Sequence, residues 1–191
     1  MKKEKPVRGE YGYLKAAKKK AAIHTVLMVV IGLAIFVLGL LLNKMEAANI
    51  FTVFAFLMVL PAAKSFVTVV VLFPFQPMDK ETMERLTSYA RGQDVVFYDV
   101  VFTSSERIMH LDCIYVTGHQ LIAYTGRRKD NVKAISEYLK KELSARGTDF
   151  AFYLATEEKQ IIDRMKLRGE ENDTNQKVKD EVVEMLRVFT V

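Results

Sequence analysis

Two long apolar runs near the start of the chain give way to shorter, mixed patterns in the rest of it. Residues 21–42 carry no formal charge, and residues 50–75 carry one, Lys64. Since about 20 helical residues cross the hydrocarbon core of a bilayer, each run predicts a transmembrane helix. The seven-residue linker NKMEAAN, residues 43–49, allows only a tight connection. We therefore expect an antiparallel two-helix transmembrane hairpin over residues 21–75.

Residues 76–191 show the periodicities of a water-soluble domain. Apolar positions three and four residues apart predict four helices, and β-branched and aromatic runs predict four strands. The predicted helices cover about 80–90, 130–146, 156–168 and 177–188, and the predicted strands cover about 94–103, 107–117, 120–125 and 149–155. The order α-β-β-β-α-β-α-α predicts a cytoplasmic α/β or α+β domain built on a mixed sheet.

Charge divides the chain in the same way. Residues 1–20 hold eight Lys/Arg against two Glu, a net charge of +6. Residues 76–191 hold 18 Lys/Arg against 20 Asp/Glu, a net charge of −2. The slightly acidic domain lacks the basic face that nucleic-acid binding requires, so we do not expect nucleic acid as a partner. The single cysteine, Cys113, excludes an internal disulfide and fits a reducing compartment.

The basic residues predict the orientation of the hairpin. Lys15, Lys18, Lys19 and Lys20 crowd the start of the first apolar run, whereas the linker holds one Lys and one Glu. Because positively charged flanks stay in the cytoplasm, we expect a multi-pass plasma-membrane protein with both termini cytoplasmic. The polybasic N-terminus, residues 1–20, also attracts anionic lipid headgroups. The bilayer, with anionic lipid at this tail, is thus the first expected partner.

Lys64 and Pro61 interrupt the second apolar run. A charge within the bilayer costs at least about 2.5–3.5 kcal/mol, and neither run contains an Asp or Glu to pair with it. Pro61 has no N–H to donate to the carbonyl oxygen of Leu57, so we expect a kink that frees backbone acceptors. Two interpretations follow. Lys64 reaches the cytoplasmic headgroups from a tilted helix, or it contacts a partner's acidic residue or a polar cavity in an oligomer.

Small residues predict where the two helices touch. Gly32 and Gly39 lie seven positions apart in the first run, and Ala55 and Ala62 lie seven apart in the second. Such spacing lets helix backbones approach closely, and we expect these residues to pack the hairpin against itself. A seam between copies in a homo-oligomer is the alternative use of the same residues.

The sequence holds no P-loop, Rossmann, HExxH or Gly-x-Ser-x-Gly motif. His110, Cys113 and His119 are residue types that bind metals. On a regular strand, however, His110 and Cys113 point to opposite faces, and His119 falls in a turn. We therefore expect neither a metal nor a cofactor.

The segment LDCIYVTGHQLIAYTGR, residues 111–127, resembles the middle of the nuclease-related-domain branch of the PD-(D/E)XK nuclease superfamily. In that branch an aspartate, a hydrophobic strand and a Gly turn precede a second strand that ends in Glu-x-Lys. By this resemblance Asp112 takes the aspartate position, Thr125 the glutamate position and Arg127 the lysine position. With a two-residue turn at Gly118, Asp112 opposes Thr125, and these two residues and Arg127 share one face beside His110.

The departure from that motif decides the expected chemistry. Metal-dependent cleavage needs carboxylates, and Thr125 cannot replace a glutamate. The resemblance, over residues 79–155, therefore implies an inactive relative, with Glu81, Glu84 or Asp130 as candidates for a second carboxylate. We predict a non-catalytic, membrane-anchored binding or regulatory domain with a protein partner. The alternatives are a membrane-tethered metal-dependent nuclease and an accessory subunit of a membrane transport or secretion complex.

Overall fold

A computed structural model describes residues 6–104, 107–118, 120–126, 132–146, 150–168 and 176–189. Its contacts divide the chain into a hairpin unit, Leu14–Phe75, and a domain unit made of Met1–Tyr13 and Gln76–Val191. The helices are α1 (Tyr13–Leu42), α2 (Ile50–Leu57), α3 (Val59–Leu72), α4 (Lys80–Thr87), α5 (Val132–Ala145), α6 (Glu158–Leu167) and α7 (Gln176–Phe189). The strands are β1 (Val95–Thr103), β2 (Ile108–Val116), β3 (Gln120–Tyr124) and β4 (Ala151–Ala155).

The hairpin unit consists of α1 and the consecutive pair α2–α3. The stretches Tyr13–Leu42 and Ile50–Leu72 are both long and apolar enough to span a membrane. α1 starts earlier than predicted, because the lysines and alanines before the apolar run are good helix formers. α3 ends at Leu72 and not at residue 75, because Pro74 has no amide hydrogen with which to extend the helical ladder.

The second helix is divided into two segments near Pro61, and the kink expected there stays a prediction. α2 ends at Leu57 and α3 begins at Val59, so Met58 lies between the two segments. Pro61 cannot donate to the carbonyl oxygen of Leu57, and the ladder loses a hydrogen bond at this turn. At the start of α2, the side chain of Asn49 accepts a hydrogen bond from the backbone N–H of Thr52 at 3.0 Å, which satisfies one free amide of the first turn.

Small residues lie where α1 contacts the second helix. A Cβ atom at Gly32 would lie 3.3 Å from Cβ of Met58 and 3.6 Å from the carbonyl oxygen of Ala55. A Cβ atom at Gly39 would lie only 2.5 Å from Cβ of Phe51. The two glycines therefore allow the backbones to approach closely, which confirms that small residues pack the hairpin against itself.

The described strands of the domain unit form one four-stranded sheet in the order β1-β2-β3-β4. β1 pairs antiparallel with β2, β2 pairs antiparallel with β3, and β3 pairs parallel with β4. A parallel pair needs a crossover connection, and α5 lies within it. The predicted α+β domain with a mixed sheet is confirmed.

Helices cover both faces of this sheet. One face packs with α5 and α7 in the larger cluster, which contains Phe97, Val100, Phe102, Met109, Leu111, Ile114, Val116, Leu121, Ala123, Ile135, Leu139, Leu143, Phe150, Val182, Val183, Met185 and Leu186. The other face packs with α4 and α6 in the smaller cluster, which contains Met78, Leu86, Cys113, Tyr115, Ile122, Ala155, Ile161 and Met165. Because both faces are covered, the strands read as nearly continuous apolar runs.

The N-terminal segment that precedes α1 packs on the domain. The backbone N–H of Tyr98 donates to the carbonyl oxygen of Gly9 at 2.7 Å, so this segment is joined by one hydrogen bond to the edge strand β1. The hydroxyl of Tyr11 donates to the carbonyl oxygen of Met78 at 3.1 Å, and its ring stands edge-on to that of Tyr98. The sequence suggested a single tail through residue 20, whereas the structure divides that tail between the domain and α1.

We expect Gly9→Ala to destabilise the domain by at least about 1–2 kcal/mol, the approximate strain of an L-residue in a left-handed backbone conformation. Gly9 has a φ of +85°, and the added Cβ would overlap the ring of Phe97. Urea unfolding of the full-length protein in detergent, followed by circular dichroism, measures the loss. Gly92→Ala is the matched control, because nothing lies within 4 Å of its Cβ position. Equal stabilities of the two variants would contradict the docking of this segment.

Candidate functional site

Asp112 and Thr125 stand opposite each other on β2 and just beyond β3, in the predicted register. Their neighbours Cys113 and Tyr124 are paired residues of the two strands. Both side chains are buried: Asp112 is 2% exposed and Thr125 is 0% exposed. Arg127, the third member of the predicted set, lies outside the described residues.

A second buried aspartate, Asp99 of β1, lies across the sheet from Asp112. The residues on both sides of Asp99 pair in register with β2. Oδ1 of Asp99 accepts a hydrogen bond from the backbone N–H of Met78 at 2.7 Å, and Oδ2 of Asp112 accepts one from the N–H of Gly126 at 2.7 Å. A buried amide left without its acceptor costs about 1–3 kcal/mol. The two carboxylates therefore fix the segment that precedes α4 and the segment that leaves β3.

The alternation of side chains along β1 and β2 changes at these aspartates. Asp99 has a φ of +50°, a conformation that Asp adopts more readily than most residues. Phe97 and Val100, three positions apart, both belong to the larger cluster, although a regular strand would place them on opposite faces. Leu111 and Ile114 show the same shift on β2. The faces of the two strands switch at the two aspartates, which lie opposite each other. The pairing of β1 with β2 therefore continues in the same register on both sides of the switch.

His110 and Cys113 lie on the same face of the sheet, so the prediction of opposite faces was wrong. Both neighbours of His110 belong to the larger cluster, so His110 points to the other face, where Cys113 belongs to the smaller cluster. The phase change at Asp112 is the physical reason. His119 lies outside the described residues, and within the described ranges no group of three potential metal ligands is found.

Glu81 and Glu84, the candidates for a second carboxylate, lie on the surface of α4 and pair along that helix. Oε1 of Glu84 lies 3.2 Å from Nζ of Lys80, and Oε1 of Glu81 lies 3.8 Å from Nη1 of Arg85. Asp130, the remaining candidate, lies outside the described residues. The acidic residue that the strand register places opposite Asp112 is Asp99.

Three acidic protons meet on the face that carries the smaller cluster: Cys113 and Tyr115 are buried, and Tyr98 is half-buried. Burial raises the pKa of the Cys113 thiol well above its ordinary value, and the negative charge of Asp112 raises it further. Burial also raises the pKa of the Tyr115 hydroxyl, and the neighbouring Cys113 and Tyr98 add to this effect. Burial raises the pKa of the Tyr98 hydroxyl, and this effect exceeds the opposite effect of its hydrogen bond with Thr87. These groups are held in their neutral forms.

The lysines at the start of α1 differ in their surroundings. Nζ of Lys18 donates to the carbonyl oxygens of Phe73, at 3.3 Å, and of Phe75. It thus satisfies carbonyl groups where the second helix ends. The other members of the predicted lipid-facing set are exposed: Lys15, Lys19 and Lys20.

Lys64 is exposed on the surface of α3, next to a polar contact between the helices. Nδ1 of His24 on α1 and Oγ of Ser65 on α3 lie 2.6 Å apart and share a hydrogen bond. This hydrogen bond joins α1 to α3 at the residue that follows Lys64. Three polar side chains of the hairpin, His24, Lys64 and Ser65, therefore lie at the same depth along the two helices.

Sequence reasoning missed Asp99, Gly9 and the pair His24–Ser65. Asp99 gave one signal, an acid in the centre of an otherwise apolar strand. His24 and Ser65 gave a similar signal as polar residues within apolar runs. The role of Gly9 depends on a contact with a distant strand, so the sequence around it carries no signal.

We expect the domain to lose stability as the pH rises above about 8.5, the ordinary pKa of a thiol. A raised pKa in the folded state means that the neutral thiol stabilises the fold below pH 8.5, and that this contribution disappears as the pH climbs towards the folded-state pKa. In Cys113→Ala the loss should begin only near pH 10, where unfolded tyrosine ionises. Urea unfolding of the full-length protein between pH 7 and 11 tests this. Identical profiles of the two proteins between pH 8.5 and 10 would refute it.

In comparisons with protein-family models, curated proteins and solved structures, no match to this chain is found. The resemblance of residues 111–127 to the PD-(D/E)XK superfamily is not tested by these comparisons and stays a prediction.

Proposed function

We propose that this chain is a membrane-anchored protein whose two-helix hairpin spans the bilayer and holds a non-catalytic binding or regulatory domain. One observation carries the proposal, the exposed apolar surface of the hairpin. In the most apolar 18-residue window of each long stretch, 11% of the residues are buried. A core helix of a water-soluble protein is mostly buried, and an apolar surface of this size is unfavourable in water. A bilayer accommodates it, because helices satisfy their own backbone hydrogen bonds.

Connectivity supports placing both ends of the hairpin on one side of the membrane. The segment before α1 and the chain from residue 76 belong to the same compact unit. Within the hairpin, Lys18 contacts the carbonyl oxygens of Phe73 and Phe75, which joins the start of α1 to the end of the second helix. The basic residues at this end favour the cytoplasmic side. We infer a plasma-membrane protein with both termini in the cytoplasm.

The exposed lysines at this end support a role for anionic lipid as a partner. Lys15, Lys19 and Lys20 lie on the surface of α1, whereas Lys18 contacts the end of the second helix. Each exposed lysine near a negatively charged leaflet contributes about 1 kcal/mol of attraction. Burial of apolar side chains in the bilayer would thus hold the hairpin in the membrane, and the lysines of α1 would set its orientation.

Burial of the sheet centre argues against phosphodiester cleavage. Asp112 is 2% exposed, and its Oδ2 accepts the backbone N–H of Gly126. A metal-dependent nuclease needs open carboxylates that hold the ion and face the substrate. The aspartates of β1 and β2 instead hold the sheet in its irregular geometry, so no observation favours the nuclease alternative.

Lys64 decides between a simple anchor and an accessory subunit of a larger membrane complex. α3 ends at Leu72, eight residues beyond Lys64, or roughly 12 Å at 1.5 Å per residue. The long side chain covers part of this distance by extending towards the headgroups. The short span favours snorkelling, and an acidic residue on a partner helix is the alternative contact.

The orientation is tested with single cysteines in a Cys113→Ala background. Glu10→Cys and Glu181→Cys should react with a membrane-impermeant maleimide only after the membrane is opened, whereas Ala47→Cys should react in intact cells. The reason is the basic flank of α1, opposite the nearly neutral linker. Labelling of the residue-181 probe from outside would reverse the proposed orientation, and recovery of the protein without membranes would refute the anchor.

The role of Lys64 is tested by charge removal. Lys64→Leu should insert at least as well as the wild type, since it removes a cost of about 2.5–3.5 kcal/mol. Lys64→Arg, which keeps the charge, is the matched control. The measurements are the yield in the membrane fraction and the set of proteins that co-purify in mild detergent. If the leucine variant alone loses one membrane protein, Lys64 is a contact site, and the accessory-subunit alternative replaces the snorkelling interpretation.

A further inference from the structure

A small polar cavity lies in the domain unit, where the loop between α4 and β1 meets the ends of other elements. Its volume is about 30 Å³. Four charged residues line it: Arg91 and Asp94 from the loop, Arg168 from the end of α6, and Lys179 from α7. Gly118, at the turn after β2, lies on the same wall. The cavity is separate from the aspartates at the centre of the sheet.

Arg168 is buried with unused hydrogen-bond donors. Its side chain is 2% exposed. Nη2 lies 2.6 Å from Oδ2 of Asp94 and donates to the carbonyl oxygen of Tyr89 at 3.1 Å. Among the residues that the structure describes, no acceptor lies within hydrogen-bonding distance of its Nε or Nη1. A buried guanidinium with open donors favours a ligand that brings acceptor oxygens.

Lys179 adds a second buried cation. The residue is 3% exposed, and Nζ donates to the carbonyl oxygen of Gln93. A neutral carbonyl satisfies one of the three ammonium donors and does not balance the charge. Lys179 therefore brings both charge and donors to the wall of the cavity.

The cations exceed the carboxylates that line this cavity. Arg91, Arg168 and Lys179 face one carboxylate, that of Asp94. Oδ2 of Asp94 is already shared between Arg168 and the backbone N–H of Arg91, which lies 2.6 Å away. Among the described lining residues, the two buried cations Arg168 and Lys179 thus exceed the one carboxylate by one positive charge. Buried charge is unfavourable unless a counter-charge lies close to it, so the wall is suited to an anion.

We propose that this cavity binds a phosphate group. A phosphate supplies negative charge together with several acceptor oxygens, which matches the open donors of Arg168 and Lys179. The volume exceeds the 10–15 Å³ that one water needs, and it is far below the 300–1,000 Å³ of pockets for organic molecules. The cavity therefore holds the charged group, and the rest of the ligand lies outside. Inorganic phosphate, a soluble phosphomonoester and a phospholipid headgroup share this chemistry.

The phosphate site goes beyond the proposed anchoring function and does not depend on it. The lining residues all belong to the domain unit, so binding is measurable in detergent whether or not the hairpin spans a membrane. A failure of the topology experiment would leave this proposal intact, and a failure of phosphate binding would leave the anchor intact.

The test is a titration of the full-length protein in a nonionic detergent with inorganic phosphate, at constant ionic strength set with chloride. The wild type should bind phosphate saturably, measured by calorimetry and by the rise in melting temperature. Lys179→Met should weaken binding at least 10-fold, and Lys179→Arg should restore most of it. Lys177→Met, on an exposed position of the same helix, is the matched control and should bind as the wild type does.

A second variant keeps the proposal testable if Lys179→Met does not fold. Arg91 is exposed, and Arg91→Gln removes one lining charge and should weaken phosphate binding several-fold. Because Nη2 of Arg91 also donates to the carbonyl oxygen of Arg168 at 3.1 Å, the melting temperature of this variant without phosphate is measured alongside. Non-saturable binding by the wild type would overturn the proposal. Equal affinities of Lys179→Met and Lys177→Met would also overturn it.

The source of the phosphate group is distinguished in nanodiscs. The protein is titrated with inorganic phosphate in discs of phosphatidylcholine alone and in discs that also contain phosphatidic acid. A loss of apparent affinity in the second disc, absent in Lys179→Met, assigns the site to a lipid headgroup. Equal saturable affinities in both discs assign it to a soluble phosphate or phosphomonoester.

Discussion

The hydrogen bond between Gly9 and Tyr98 places the start of the chain at the edge of the sheet in the domain. An exposed edge strand offers N–H and C=O groups without partners in the sheet, and the segment before α1 satisfies the N–H of Tyr98. The contact requires a glycine, because the backbone there has a φ of +85° and lies against the ring of Phe97. In consequence the whole hairpin is an insertion within one folded unit. The proposed topology, with both ends on one side, follows from this constraint as much as from the distribution of lysines.

Local patterns were enough to predict the elements of this fold. Run length and the absence of charge marked the two long helices, and helical spacing marked those of the domain. The turn at Gly118 set the β2–β3 register, which the structure reproduces. The phase change at Asp99 was beyond such reasoning. Because both faces of β1 and β2 are covered, their sequences are apolar at nearly every position and contain no alternation that could reveal a shift. The prediction that His110 and Cys113 point to opposite faces was wrong because nothing in the sequence indicates this switch.

Contacts between distant segments account for the rest of what the sequence did not show. The cations of the proposed phosphate site come from three places: Arg91 follows α4, Arg168 ends α6, and Lys179 lies in α7. Each one looks like an ordinary surface charge of a soluble domain. Only the packing of α6 and α7 against the loop brings them together and removes two of them from solvent. The acidic net charge of the domain conceals this local positive cluster.

The insertion of the hairpin bears on the order in which the protein forms. Gly9 and Tyr98 are 89 residues apart, and closing a flexible loop of that length carries a substantial entropic cost. Packing of α1 against α2 and α3 lowers this cost, because the hairpin brings its own two ends together. By allowing that packing, Gly32 and Gly39 also lower the cost of the contact between Gly9 and Tyr98. During synthesis, which runs from the N-terminus, the segment around Gly9 leaves the ribosome 89 residues before Tyr98, so its partner strand does not exist until both helices of the hairpin have been made.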